Sequence, residues 1–235
     1  MKRPFFRGLC HGIPICLGYL AVSFGFGIFA VKAGLSILET VLISMTNLTS
    51  AGQLAGVPIL TAGGSLWELA LTESVINLRY ALMSVSLSQK LDGRVRLPQR
   101  LLIAFGNTDE VFAVSASQKG QVGTSYMLGL ILLPFLGWTA GTALGAVAGS
   151  ILPELLIGAL GIAIYGMFVA IVVPVAREEG SVAVVAALAI ALSCLFTFVP
   201  VLSDIPGGFR IVICAVVSAG LLAAVKPLPQ KEVES

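Results

Sequence analysis

Ile43-Ser44-Met45-Thr46-Asn47-Leu48-Thr49-Ser50-Ala51-Gly52-Gln53 places six hydroxyl or amide side chains in one short run. Glu39 to Leu42 precede the run and Leu54 to Leu60 follow it, so its polar residues fall in the middle of a membrane-length segment. Polar groups at that depth persist only where protein or a water-filled cavity satisfies them. The run therefore predicts a broken or re-entrant segment at a substrate pathway. The alternative is a small-residue helix packed tightly on a neighbour, its Ser and Thr hydroxyls bonded back to their own backbone.

The rest of the chain makes lipid the relevant solvent. Of 235 residues 57% are apolar and 11% charged, and the mean hydropathy is +0.99, values of an integral membrane protein rather than a soluble domain. The 11 prolines and 26 glycines are spread through apolar segments, as in packed and interrupted membrane helices. The longest polar stretches, Lys90 to Arg100 and Lys226 to Ser235, leave no room for a nucleotide-binding domain, and G-x-x-x-x-G-K-[ST] is absent, so pumping must draw on a gradient or on a separate subunit. The net charge of +2, with basic residues at membrane edges, argues against nucleic acid as a partner. Cys10, Cys16, Cys194 and Cys214 lack C-x-x-C spacing and read as small hydrophobes, neither a disulfide framework nor a metal site. The single histidine, His11, allows no Ser-His triad and no H-E-x-x-H zinc site, so the chain is not expected to be an enzyme or to need a cofactor. The start, Met1 to Arg7, looks like a signal sequence, but the apolar run behind it extends to about Val31 with no A-x-A site, which reads as a first transmembrane helix.

Apolar segments fall near 12–32, 37–60, 66–88, 101–118, 123–149, 152–175, 181–199 and 208–225, at about 20 residues per span. With the N-terminus inside and all eight crossing, the loop holding Lys90, Arg94, Arg96 and Arg100 falls outside, against the positive-inside rule. Letting 37–60 and 152–175 enter and leave on one face puts ten Lys and Arg inside and three outside (Lys32, Lys119, Arg210), against seven and six for the all-spanning arrangement. The expected fold is thus an all-α polytopic membrane protein, a single membrane domain over 1–235 with about six full spans and two broken or re-entrant helical segments. Gly18-Tyr19 and Gly25 resemble Gly137-Trp138 and Gly145, and Ser50 to Pro58 resembles Tyr165 to Pro174. These likenesses suggest an inverted repeat with halves 8–118 and 123–226, in which the first and fifth segments run in opposite directions.

Two clusters carry ionisable groups. Glu73, Asn77, Tyr80, Ser84 and Ser88 recur at helical spacing along one face. Arg79 lies about 120° round the wheel from Glu73, so each needs a partner elsewhere; ion pairing between helices is the plain reading of Arg79. In Gly106-Asn107-Thr108-Asp109-Glu110, Asn107 with Glu110 reads as a capping box where a helix restarts within or near the membrane. Asp109 or Glu110, if desolvated, would be placed to exchange a proton.

Gly12-Ile-Pro14, Gly18-Tyr19, Phe24-Gly25, Ser50-Ala-Gly-Gln53, Asn77 to Ser84, Thr108 to Ala113, and Trp138 with Gly141-Thr142 and Gly145 occur together and in order. In these pieces the chain resembles AzlC-type proteins, the large subunit of bacterial branched-chain amino acid exporters. Some members carry an Asp-Phe pair in the sixth segment, where this chain has the uncharged Gly161 to Tyr165. The resemblance implies export of valine, leucine or isoleucine across the bacterial cytoplasmic membrane, together with a short AzlD-type membrane subunit. A zwitterion with an apolar tail needs donors for its carboxylate and negative charge or acceptors for its ammonium. Thr49, Ser50, Gly52 and Gln53 at a half-helix N-terminus are the expected carboxylate side, with Tyr19 and Asn77 nearby. Glu73, Arg79, Asp109 and Glu110 are the expected charge-pair or coupling groups, with proton antiport as the simplest energy source. An ion or small-solute channel with filter segments and a non-transporting scaffold subunit are the alternatives.

Overall fold

A computed structural model of the chain describes residues 2–151, 153, 166, 169, 172–202 and 204–225. Most of the expected segment 152–175 lies outside the described residues, as do Gly161 to Tyr165, Lys226 and Lys231. The described chain is all-helical, a polytopic membrane protein as its composition requires. In order the helices are α1 (Lys2–Lys32), α2 (Ile37–Thr46), α3 (Ala51–Thr61), α4 (Leu66–Ile76), α5 (Leu78–Lys90), α6 (Leu97–Phe105), α7 (Asp109–Ala116), α8 (Thr124–Ile151), α9 (Gly180–Phe198) and α10 (Gly207–Val225). Four of them, α1, α8, α9 and α10, are long and apolar enough to cross a membrane singly.

The scaffold is the pair α1 and α8. Gly12 lies against Leu130, Gly137 against Cys16, Gly141 against Leu20 and Gly149 against Ile28, each so close that a Cβ would press on the other helix. Small residues at these contacts let the two backbones approach, the usual way helices bind each other in lipid. Residue numbers rise together along both helices, so α1 and α8 run parallel. The expected opposite direction of the first and fifth segments is therefore overturned.

The cause lies in the two broken segments between them. Ser36 caps α2 in a reciprocal box with Glu39, and α2 descends beside α8, Ser44 meeting Thr142. After the break at residues 47–50 the chain returns. Val57 of α3 packs on Phe26 and Ala30 together with Leu35, which precedes α2, and Ile43 within it. Segment 37–61 is thus a hairpin whose two arms open at one end, the re-entrant form expected from the sequence. Each arm, 10 and 11 residues long, spans about 15 Å, half of a ~30 Å hydrocarbon core.

Segment 66–90 then runs from the mouth of this first hairpin to the other end, broken at Asn77 into α4 and α5. The expected single polar face therefore bends at its centre. Segment 101–118, expected to cross, instead forms a second hairpin. Asn107 at its turn donates from Nδ2 to Ser84 Oγ at 3.3 Å, and Ala116 at the end of α7 shares a cavity wall with Lys90. Beyond it Val122 pairs with the backbone of Lys90 and Asp92, donating to the former and accepting from the latter at 3.0 Å each. With nine residues in α6 and eight in α7, neither arm can cross alone. One crossing fewer between α1 and α8 makes them parallel. It also brings Lys119, expected on the opposite side, to the cavity lined by Arg3 and Arg7. The two hairpins thus insert from opposite ends and reach toward the break at Asn77. Finally α10 starts at the mouth of the first hairpin, where Gly208 N–H donates to Glu68 Oε1 at 2.7 Å.

Candidate functional site

The tip of the first hairpin is built by Asn47. Its backbone turns extended (φ −140°, ψ 110°) and ends α2. Its Oδ1 accepts from Thr49 N at 3.1 Å and Thr49 Oγ1 at 2.5 Å, a side-chain mimic of a backbone turn. Ser50 completes the turn at φ 31°, a positive value unique among the described non-glycine residues, and makes no capping bond to α3. Gln53, 2% exposed, then closes the tip. Its Nε2 donates to Asn47 O at 2.6 Å and Ser44 Oγ at 3.2 Å, and its Oε1 accepts from Trp138 Nε1 at 3.2 Å. Ser44 Oγ is also bonded to Thr142 Oγ1 at 2.7 Å. Most of the polar run is thereby satisfied within protein, as an apolar surrounding requires.

Between this hairpin and α4 lies a cavity of about 170 Å³. Thr46, Asn47, Gln53 and Glu73 supply its polar wall, and apolar residues including Ile43 and Leu69 supply the other. Glu73 Oε2 accepts from Asn77 Nδ2 at 2.7 Å. Gly52 makes this possible, because a Cβ there would stand 2.5 Å from Glu73 Oε2 and 2.5 Å from Thr49 Oγ1. One carboxylate among neutral amides, facing an apolar wall, suits a small solute with a cationic group and an apolar tail.

The second hairpin carries the remaining charge. Thr108, not the expected Asn107, caps α7: its Oγ1 accepts from Val111 N at 3.4 Å. Asp109 and Glu110 then occupy the first turn, where the helix dipole favours negative charge. Arg79 Nη1 meets Asp109 Oδ2 at 2.9 Å, the one ion pair among the described residues, with the guanidinium 5.0 Å from the Tyr80 ring centre. Tyr19 donates its hydroxyl to Glu110 Oε2 and stands edge-on to Trp138 at 5.2 Å. Since Trp138 also holds Gln53, this chain of contacts joins the two hairpins through α1 and α8. The Oδ1 atoms of Asn77 and Asn107 are buried without a hydrogen-bond partner among the described residues.

The expected site residues therefore fall into two groups. Thr49, Ser50, Gly52, Gln53, Glu73 and Asn77 gather at the first hairpin; Tyr19, Arg79, Asp109 and Glu110 gather at the second. Thr49 and Ser50 shape the turn and do not line the cavity. Sequence reasoning gave no role to Asn47, Ser44, Trp138 or Thr142, although Asn47 and Ser44 stand in the same polar run and a Trp in a glycine-rich helix is itself a signal.

The chain is thus a helical membrane protein with two oppositely inserted hairpins and a small polar cavity beside the first, an arrangement that suits the membrane transport class. Within that class the chain belongs to the AzlC family: the family described as AzlC protein matches residues 14–152, more than half the chain and both hairpins. Among curated proteins, the inner membrane protein YgaZ of Escherichia coli (strain K12) is 32% identical over 201 residues, 83% of this chain and 82% of that protein. A protein of Archaeoglobus fulgidus named as an uncharacterized membrane protein is 35% identical over 80% of this chain and 84% of its own length. The branched-chain amino acid transport protein AzlC of Bacillus subtilis (strain 168) is 24% identical over 60% of this chain and 56% of that protein. No solved structure matches the chain.

Proposed function

We propose that this chain exports branched-chain amino acids across the bacterial cytoplasmic membrane by proton antiport, with a short AzlD-type membrane subunit, and with its basic end facing the cytoplasm. The observation that carries the reading is the cavity between the first hairpin and α4, where Glu73 is the only acid among the described residues. Its volume of about 170 Å³ is below the ~300–1,000 Å³ of pockets for drug-sized ligands and on the scale of a small amino acid. Glu73 faces the ammonium. At the start of α3, Gln53 lines the cavity and its backbone N–H is the donor for the carboxylate. Ile43, Val57, Leu60 and Leu69 receive the branched tail. Asp109 and Glu110 on the second hairpin are the groups that exchange the proton, and the collected Lys and Arg at the other end set the orientation. The name of the Bacillus subtilis relative supports the substrate class.

The test is counterflow of labelled valine in vesicles holding the chain with its small partner. Saturable exchange is expected, reduced about tenfold or more in Glu73→Gln and in Asp109→Asn, the scale of losing one charged contact. Wild-type rates in both variants, each shown to insert, would refute the acidic roles, and flux without saturation or exchange would make the protein a channel.

A further inference from the structure

A second cavity lies away from this site. It measures about 430 Å³ and is lined by Arg3, Arg7, Gln118, Lys119, Ser125 and Tyr126 among others, with no Asp or Glu among the described residues of its wall. Because the one described ion pair is Arg79 with Asp109, no described carboxylate neutralises these three cations. Positive-inside placement alone asks only that cations sit at one membrane edge; it does not gather them around a recess.

The depth of the recess identifies the anion. The 31 residues of α1 measure about 46 Å, well beyond a ~30 Å hydrocarbon core, so the first two turns of α1 reach into the headgroup layer. The start of α8 lies against them, Gly8 meeting Tyr126 and Leu130. Phe6, next to Arg7 in the chain, is 60% exposed, an apolar side chain left at the same level as the cations. Arg7 is already held: Nη2 donates to Gln118 Oε1 at 2.5 Å, and the guanidinium stands 5.9 Å from the Tyr126 ring centre. A fixed guanidinium retains further N–H donors for phosphate oxygens.

We propose that this recess binds the phosphate headgroup of an anionic phospholipid, clamped by Arg3, Arg7 and Lys119. Gln118, which receives the Arg7 bond, donates from Nε2 to Val114 O at 2.9 Å near the end of α7. The headgroup therefore ties together the start of α1, the exit of the second hairpin and the start of α8. Anionic lipid thereby steadies this hairpin, whatever solute the protein carries.

The test titrates the full 235-residue chain in detergent with phosphatidylglycerol or phosphatidylcholine and counts retained lipid by native mass spectrometry. Phosphatidylglycerol is expected to be retained in preference. An Arg3→Gln/Lys119→Gln variant, which leaves the Arg7 contacts intact, is expected to lose about tenfold or more in affinity, as for removal of two phosphate contacts. Arg94→Gln/Arg96→Gln, at the same end but outside the recess, is expected to retain the lipid. Equal binding of the two lipids, native binding by the first variant, or an equal loss in the second variant would overturn the proposal. Complete displacement by inorganic phosphate would also overturn it, since the site would then belong to a soluble anion.

Discussion

The two hairpins have the same outline and opposite chemistry. The first turns on Asn47 to Ser50, and its amides and hydroxyls are largely satisfied by one another and by Trp138 and Thr142. The second turns on Gly106 to Thr108 and carries two adjacent acids, one held by Arg79 and one by Tyr19. Neutral polar groups can be buried at modest cost once each is hydrogen-bonded, whereas a charge in an apolar surrounding needs a partner charge or water. The first hairpin can therefore be packed tightly enough to shape a cavity wall. The second keeps Arg79 and Asp109 half-exposed, in a position where either can exchange its partner. On the proposed function the difference separates the tasks: one tip recognises, the other holds charge that can be rearranged.

That division can be broken most severely at the ion pair. Arg79→Asp leaves two carboxylates together at mid-chain, and a charge unpaired at that depth costs on the order of 3 kcal/mol on insertion scales. Transport is expected to fall about a hundredfold on that energy, with partial recovery in the Arg79→Asp/Asp109→Arg exchange. No recovery in a well-inserted double variant would mean that the pair does more than neutralise charge. A smaller effect is expected on the neutral side. Trp138→Phe removes the donor to Gln53 Oε1 and should cost about 1–2 kcal/mol of thermal stability; the Michaelis constant should rise more than the maximal rate falls. A loss confined to the maximal rate would place Trp138 in the charge-moving half instead. The smallest change is at Ser50, whose positive φ suits glycine. Ser50→Gly should raise stability by up to about 1 kcal/mol, measured by thermal unfolding in detergent. A clear loss of stability would show that the Ser50 side chain contributes more to the turn than its backbone angle costs.

Much of this was legible in the sequence because lipid imposes strong rules. The outer limits of most helical segments fall close to those read from hydropathy, and the polar run from Ile43 marks the first hairpin directly. The second was harder. Residues 101–118 are apolar and long enough for one crossing, and only the restart at Thr108-Asp109-Glu110 hinted that the chain turns back inside them. Counting that segment as a span reversed the direction of α8 and placed Lys119 at the wrong end.

The sequence by itself determined that the chain lives in a bilayer, which stretches of it are buried there, and that polar and charged groups interrupt those stretches, since each follows from what hydrocarbon will tolerate. Only the tertiary structure decided which groups meet: Gln53 with Trp138, Tyr19 with Glu110, Arg79 with Asp109, and the carboxylate of Glu73 against the bare backbone of Gly52. Pairings between residues tens of positions apart depend on the parallel glycine contact of α1 with α8, and that contact follows from how many times the intervening chain crosses, which local polarity does not encode.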